Sequence, residues 1–269
     1  MQEARYATNC INTINAKIRL QCSGTPYYIL QSNEFAPLVE GKEIISTVSF
    51  ADMIQERDKV ASQLSDSEQD KSPYFGIPNI AKFGMQISNQ CKKDLADKGI
   101  NITMEELFKM DKNKKKFLHE DAIINIMEAL FGENGEKGFL NNEKAFEGAL
   151  FKHCIMVLPH IATCPALENL LIEKKLVDTK ERDIICLVEN RTSIEKGAIK
   201  LNKKAVDSTT LNNVLNELEK QGKKSLCLTV KRFLTGVSVP LWDCMLYMKD
   251  TTSPQEYDQA IFRLCTRNV

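Results

Sequence analysis

The chain has 269 residues, 43% of them hydrophobic and 27% charged, with Lys+Arg and Asp+Glu both at 36. Such a length suits one large domain or two modest ones, and the composition is that of a globular chain, not a disordered or fibrous one. Zero net charge decides nothing about nucleic acid, because a basic face can sit on a neutral whole. No apolar run comes near the length a membrane-spanning helix needs, and the opening MQEARYATNC lacks the apolar core of a signal peptide. The nine cysteines include no C-x-x-C pair, and most lie in apolar runs such as Ile184-Ile185-Cys186-Leu187-Val188. They read as reduced, buried small hydrophobes, predicting a cytoplasmic protein with no disulfide framework and no metal site.

In chain order, Lys17-Ile18-Arg19-Leu20-Gln21-Cys22 alternates and predicts a strand, running into a turn at Ser23-Gly24-Thr25-Pro26. Residues 44–50 predict a second β-rich stretch, and 65–71 a polar loop. Thr103-Met104-Glu105-Glu106 has capping-box spacing and predicts a short helix ending near Met110. From Asp121 to Phe131 the pattern sets Ile124, Met127 and Leu130 on one helical face, with a glycine-rich stop at 132–138. Asp111-Lys112-Asn113 hints at a calcium loop, but Lys116 stands where glycine is needed and Ala122 where the bidentate glutamate is needed. The basic clusters at 112–116 and Lys203-Lys204 read as solvated faces, and His119 as a solvated turn residue.

Residues 151–269 differ in texture. Short apolar runs at 154–158, 184–188, 226–230 and 244–248 are interleaved with amphipathic segments at 166–174, 210–220 and 253–265. Continuous apolar strands between helices predict a mainly parallel sheet covered on both faces. His153 and His160 flank the first strand and read as core or loop residues. Ligands of such sheets gather at the carboxyl ends of the strands. Two loops stand out there: 231–240 after Val230, and Lys249-Asp250 after Met248, which leads into a helix carrying Gln259 and Arg263. Those two residues are four apart and share a helical face, expected to be exposed.

The run Leu228-Thr229-Val230-Lys231-Arg232-Phe233-Leu234-Thr235-Gly236-Val237-Ser238-Val239-Pro240 resembles motif V of superfamily-two helicases, most closely the branch of type I restriction motor subunits and related phage and restriction helicases. Gln259-Ala260-Ile261-Phe262-Arg263 resembles motif VI, and Ser23-Gly24-Thr25-Pro26 resembles motif III, which ends the first motor domain. A strand and helix from His153 onward stand where motif IV would. The matches fall in the family's order.

This resemblance implies an α/β chain with a RecA-like parallel sheet at 151–269 (the second helicase motor domain), a mainly helical insertion at 61–150, and the tail of the first motor domain at 1–60. It implies the C-terminal fragment of an ATP-dependent DNA helicase or translocase, possibly of a restriction-modification system, whose second motor domain closes on ATP and grips nucleic acid. Arg263, with Arg267 the other candidate, would serve the nucleotide beside Gln259, and Gly236 would let the nucleotide approach the backbone. Ser23, Thr25, Thr229, Arg232 and Thr235 would touch nucleic acid or couple its movement to hydrolysis. ATP and Mg²⁺ would belong to the complete protein and not bind tightly to this fragment. The implied partners are DNA, with RNA left open, and the missing N-terminal motor domain.

The pattern departs from the family at Ser238, where relatives are often acidic. It departs again at Thr266, which holds the place of a second motif VI arginine, with Arg267 one further on. No G-x-x-x-x-G-K-[ST] loop or acidic box occurs in the sequence. The chain alone is therefore expected not to hydrolyse ATP. The rival from another class is a non-catalytic α/β interaction module that keeps the motor fold.

Overall fold

The computed structural model describes residues 48–69, 71–84, 93, 97, 103–111, 116–132, 138–141, 151–188 and 207–266. The chain divides into two compact units, Met1–Ile45 and Ser46–Val269, and all the described residues belong to the second. The expected strand at 17–22, the turn at 23–26 and the Lys203-Lys204 pair lie outside them.

Four parallel strands build the sheet: β3 (His153–Val157), β4 (Arg182–Cys186), β5 (Lys224–Thr229) and β6 (Cys244–Tyr247), in the order β4-β5-β3-β6. Ile155 lies in register with Cys227 on one side and Met245 on the other. Every residue of β3 is buried, which is why Cys154–Val157 run continuously apolar instead of alternating. Its side chains divide by parity, as a strand requires. Cys154 and Met156 join one core cluster, and Ile155 and Val157 the other.

Helix α5 (Thr163–Glu173) covers the first face with Leu167, Leu170 and Leu171. Helix α6 (Ser208–Lys220) covers the second with Leu211, Val214, Leu215 and Leu218, at the spacing read in the sequence. Each such side chain stabilises the fold by about 2 kcal/mol when fully buried. Asp207 caps α6, accepting from the Thr210 N–H at 2.7 Å, so the helix opens two residues before the apolar pattern does.

The segment before the sheet adds α1 (Phe50–Gln63), α2 (Asp66–Gln69), α3 (Met104–Leu107), the hairpin β1 (Met110–Asp111) with β2 (Lys116–Phe117), and α4 (Glu120–Phe131). Phe108, Phe117, Ile123, Met127, Leu130 and Phe131 share the apolar cluster of the first sheet face. A left-handed Gly132, at φ 103°, follows α4.

Several local expectations change. Phe50, read as β-rich, is the first residue of α1, because Ser49 and Asp52 form a capping box that satisfies the free N–H groups of the first turn. Residues 44–47 lie outside the described set. Within 65–71 the polar residues make α2 instead of a loop, with the Ser65 hydroxyl donating to Glu68 at 2.6 Å. Thr103 caps α3 as its spacing indicates, but the helix stops at Leu107. There Phe108 turns inward to meet Phe117 edge-on at 6.0 Å, and this non-local pair starts the hairpin. His119 is half-buried, 3.8 Å from Glu106, and not solvated.

Candidate functional site

Beyond β3 the chain passes to α5 on the first face. Beyond β5 and β6 it turns to the second, where Phe233, Leu234, Val239, Trp242 and Ala260 pack. The loops therefore part company at the carboxyl end of β3, the place where α/β sheets open a crevice for ligands.

The β5 loop is fastened at both ends and exposes Thr235 and Gly236 between them. Thr229, fully buried at the end of β5, donates its hydroxyl to the Arg232 carbonyl at 3.0 Å and so pins the first bend. Arg232 lies over the Phe233 ring at 5.2 Å. Phe233 sits at φ 65°, an unusual conformation for a bulky residue, held by burial of its ring. Val239 and Trp242 anchor the far end in the core. Between the anchors Thr235, Gly236 and Ser238 are exposed. Gly236 adopts φ 70° with nothing within 4 Å of where a Cβ would stand, so glycine is required for conformation and not for space. The Ser238 carbonyl accepts from the Asn212 amide of α6 at 3.0 Å.

The second loop leads into helix α7 (Pro254–Ile261). Ser253 caps it by accepting from the Glu256 N–H at 3.2 Å, and Pro254 opens its first turn, as the sequence indicates. The Glu256 carboxylate takes the Lys249 ammonium and the Thr251 hydroxyl, and the Lys249 hydrogen bond holds it below the usual carboxylate range. Asp250 accepts the Glu105 N–H at 3.1 Å, tying α3 to this loop. An open hollow of about 380 Å³ lies here between Tyr247, Lys249, Thr251 and Tyr257.

The helix ends sooner than its apolar spacing indicates. After Ile261 the chain continues as turns, with the Arg263 N–H on the Ala260 carbonyl at 3.0 Å. Gln259 is half-buried on α7, and Arg263 lies in the turn beyond it. Arg263 is also half-buried, where an exposed helix surface was expected. Its Nη1 donates to the Val237 carbonyl, two residues past Thr235. Its Nε is buried and has no hydrogen-bond partner among the described residues. The loop that exposes Thr235 and Gly236 and the arginine of the turn after α7 are thus joined at the carboxyl edge of the sheet. Arg267, Ser23 and Thr25 lie outside the described residues.

A different polar cluster sits at the opposite, amino edge. His153 contacts the Ser225 hydroxyl through Nδ1 at 2.9 Å and Glu219 through Nε2 at 3.1 Å. Ser225 is fully buried, so no substrate reaches it, and the line acts as a tie between β3, β5 and α6. Arg182 is buried beside it, donating to the carbonyls of Phe151, Lys152 and Ser225. The Asp243 carboxylate accepts the N–H groups of Lys152 and His153 at 2.7 and 3.1 Å. None of these ties was readable from spacing, since each joins residues far apart in sequence.

No family model matches the chain, and no solved structure matches it. A protein of Mycoplasma pneumoniae, provisionally named as the C-terminus of a type II restriction enzyme and methyltransferase, is 27% identical over 263 residues. The alignment takes in 91% of this chain and 34% of that relative, so the chain spans about a third of the length of the protein it matches. No helix of the described residues is long and apolar enough to cross a membrane.

Proposed function

We propose that this chain supplies the second, RecA-like motor domain of an ATP-dependent DNA translocase or helicase of a restriction-modification protein. One observation carries the reading: Arg263 donates to the Val237 carbonyl, fastening the Q-x-x-x-R turn to the Thr-Gly loop at the carboxyl edge of the sheet. A motor needs such a link, because the group that senses the nucleotide must move with the group that grips the strand. The similarity to a protein provisionally named as a restriction enzyme and methyltransferase supports the restriction-modification part of the reading alone.

The residues fit half of an ATP site. Arg263 brings an unpaired, buried Nε–H, a donor that a phosphate oxygen would satisfy, and Gly236 brings backbone that a ligand can approach. The phosphate loop and the Mg²⁺ carboxylate are absent from the sequence, so those roles fall to a partner domain. When bound, ATP supplies the energy of phosphoryl transfer. Across the cleft Arg263 would stabilise charge, Gln259 would orient it, and Thr235 would donate its hydroxyl to a DNA phosphate.

The test is DNA-stimulated ATP hydrolysis by the complete protein, compared with the same protein lacking residues 151–269. The reading expects hydrolysis only in the first, and none from this chain alone. Undiminished hydrolysis after the deletion would sink it.

A second reading, the non-catalytic interaction module, takes the same Arg263–Val237 bond as purely structural. Under it Arg263 is only a latch, and an arginine-dependent turnover would not exist.

A further inference from the structure

Helix α1 buries none of its side chains completely, so something other than a core holds it in place. Three contacts do so. The Ser49–Asp52 capping box fixes the first turn, with Ser49 N–H on Asp52 at 2.7 Å and Asp52 N–H on Ser49 at 3.2 Å. Arg57 reaches across the segment to the Ile77 carbonyl at 2.5 Å and the Asn79 amide oxygen at 2.9 Å, bracing α1 against the irregular stretch 77–84. The third contact leaves the segment: Phe50, first residue of α1, meets Phe262 edge-on with ring centroids 6.4 Å apart. The braced stretch in turn reaches α7, where the Lys82 ammonium stands 5.5 Å from the Tyr257 ring.

Residues 48–84 thus grip α7 near its start, through Tyr257, and at its end, through Phe262. Phe262 is the residue immediately before Arg263. The turn that bears the arginine packs only Ala260 fully into the core, and Phe262 to Thr266 are half-buried. Leu264 of the same turn packs partly against the second core cluster, so contacts from residues 48–84 add to a hold from the sheet side.

We propose that residues 48–84 act as a clasp on α7, and that Phe50 is a positioning residue that holds the Phe262–Arg263 turn so that the guanidinium reaches the Val237 carbonyl. The inference rests on the motor reading only for its consequence in turnover. The packing it claims stands or falls separately. The line of contact runs from the Ser49–Asp52 box through Phe50, Phe262 and Arg263 to the loop that exposes Thr235. Because α1 has no buried side chain, the clasp belongs to the low-stability end of the fold and can open without unfolding the sheet.

The test uses Phe50→Ala and the shape-conserving Phe50→Tyr. In the 269-residue chain, hydrogen exchange of the peptide covering 254–266 is followed together with that of 224–229. Phe50→Ala should speed exchange in the first by roughly 3- to 10-fold, the range one edge-to-face ring pair commands, and leave the second unchanged. Phe50→Tyr should restore the wild-type rate. With the phosphate-binding half present, Phe50→Ala should lower kcat for ATP about as much with KM unmoved, turnover being normalised to the folded fraction measured in the same sample, because loss of folded protein alone also lowers apparent kcat at constant KM. Unchanged exchange at 254–266 overturns the clasp, whatever the turnover does. Faster exchange with an unchanged kcat, in a protein that hydrolyses ATP, overturns the positioning role. If the wild type itself hydrolyses nothing, the motor reading fails and the exchange result alone decides the clasp.

Discussion

Arg263 and Val237 stand 26 residues apart in sequence, yet the guanidinium of one donates to the carbonyl of the other. The bond makes the tip of the β5 loop and the turn after α7 a single unit. Changes on either side should be felt on the other.

Gly236 gives the simplest check. Its φ of 70° is strained for any residue with a Cβ, while the space around it is open. Gly236→Ala should therefore cost about 1 kcal/mol from backbone strain alone, read as a lower urea midpoint with an unchanged slope. A loss of several kcal/mol would mean that packing, not conformation, selects glycine here.

Thr235 is exposed at the tip of the loop. Thr235→Ala should shift stability by no more than about 0.5 kcal/mol. In the complete protein, distance moved along DNA per ATP hydrolysed should fall more than ATP affinity does. Equal losses in both would place Thr235 at the nucleotide and not at the strand.

Most of the sheet was legible in the sequence, because strands buried on both faces write continuous apolar runs and α6 writes Leu211, Val214, Leu215 and Leu218 at helical spacing. The strand order was not, since register between β3, β5 and β6 depends on contacts between distant segments. The two loops of the site were legible through Thr235-Gly236 and Gln259…Arg263. Their joining was not: a side chain bonding to a main-chain carbonyl leaves no residue-type signature on the accepting side, and any residue could stand at Val237. The clasp was hidden for a related reason. Phe50 lies in a stretch whose apolar texture reads as strand, and only the Ser49–Asp52 box turns it into a helix.

The amino edge should respond to acid. Lys152 donates to Glu219 at 2.6 Å, and that bond holds the Glu219 carboxyl below its ordinary value of 4.5, with His153 adding to the effect. A folded-state pKa below the unfolded one gives stability that is fully present above 4.5 and is lost as pH falls through the depressed folded value. Glu219→Gln should therefore be less stable than wild type at neutral pH, and the gap between their urea midpoints should close as the solution is acidified. A gap that stays constant with pH would show that the carboxylate's charge contributes nothing.

The most direct measurement is DNA-stimulated ATP turnover by the complete protein with Arg263→Ala. Losing the bond to Val237 should cost stability only about 1 kcal/mol, so the variant should remain folded at room temperature. The account predicts a fall in kcat of about a thousandfold or more, the effect of removing an arginine that stabilises phosphoryl transfer. Turnover within about threefold of wild type in a folded variant would contradict it and leave Arg263 as a latch on the loop.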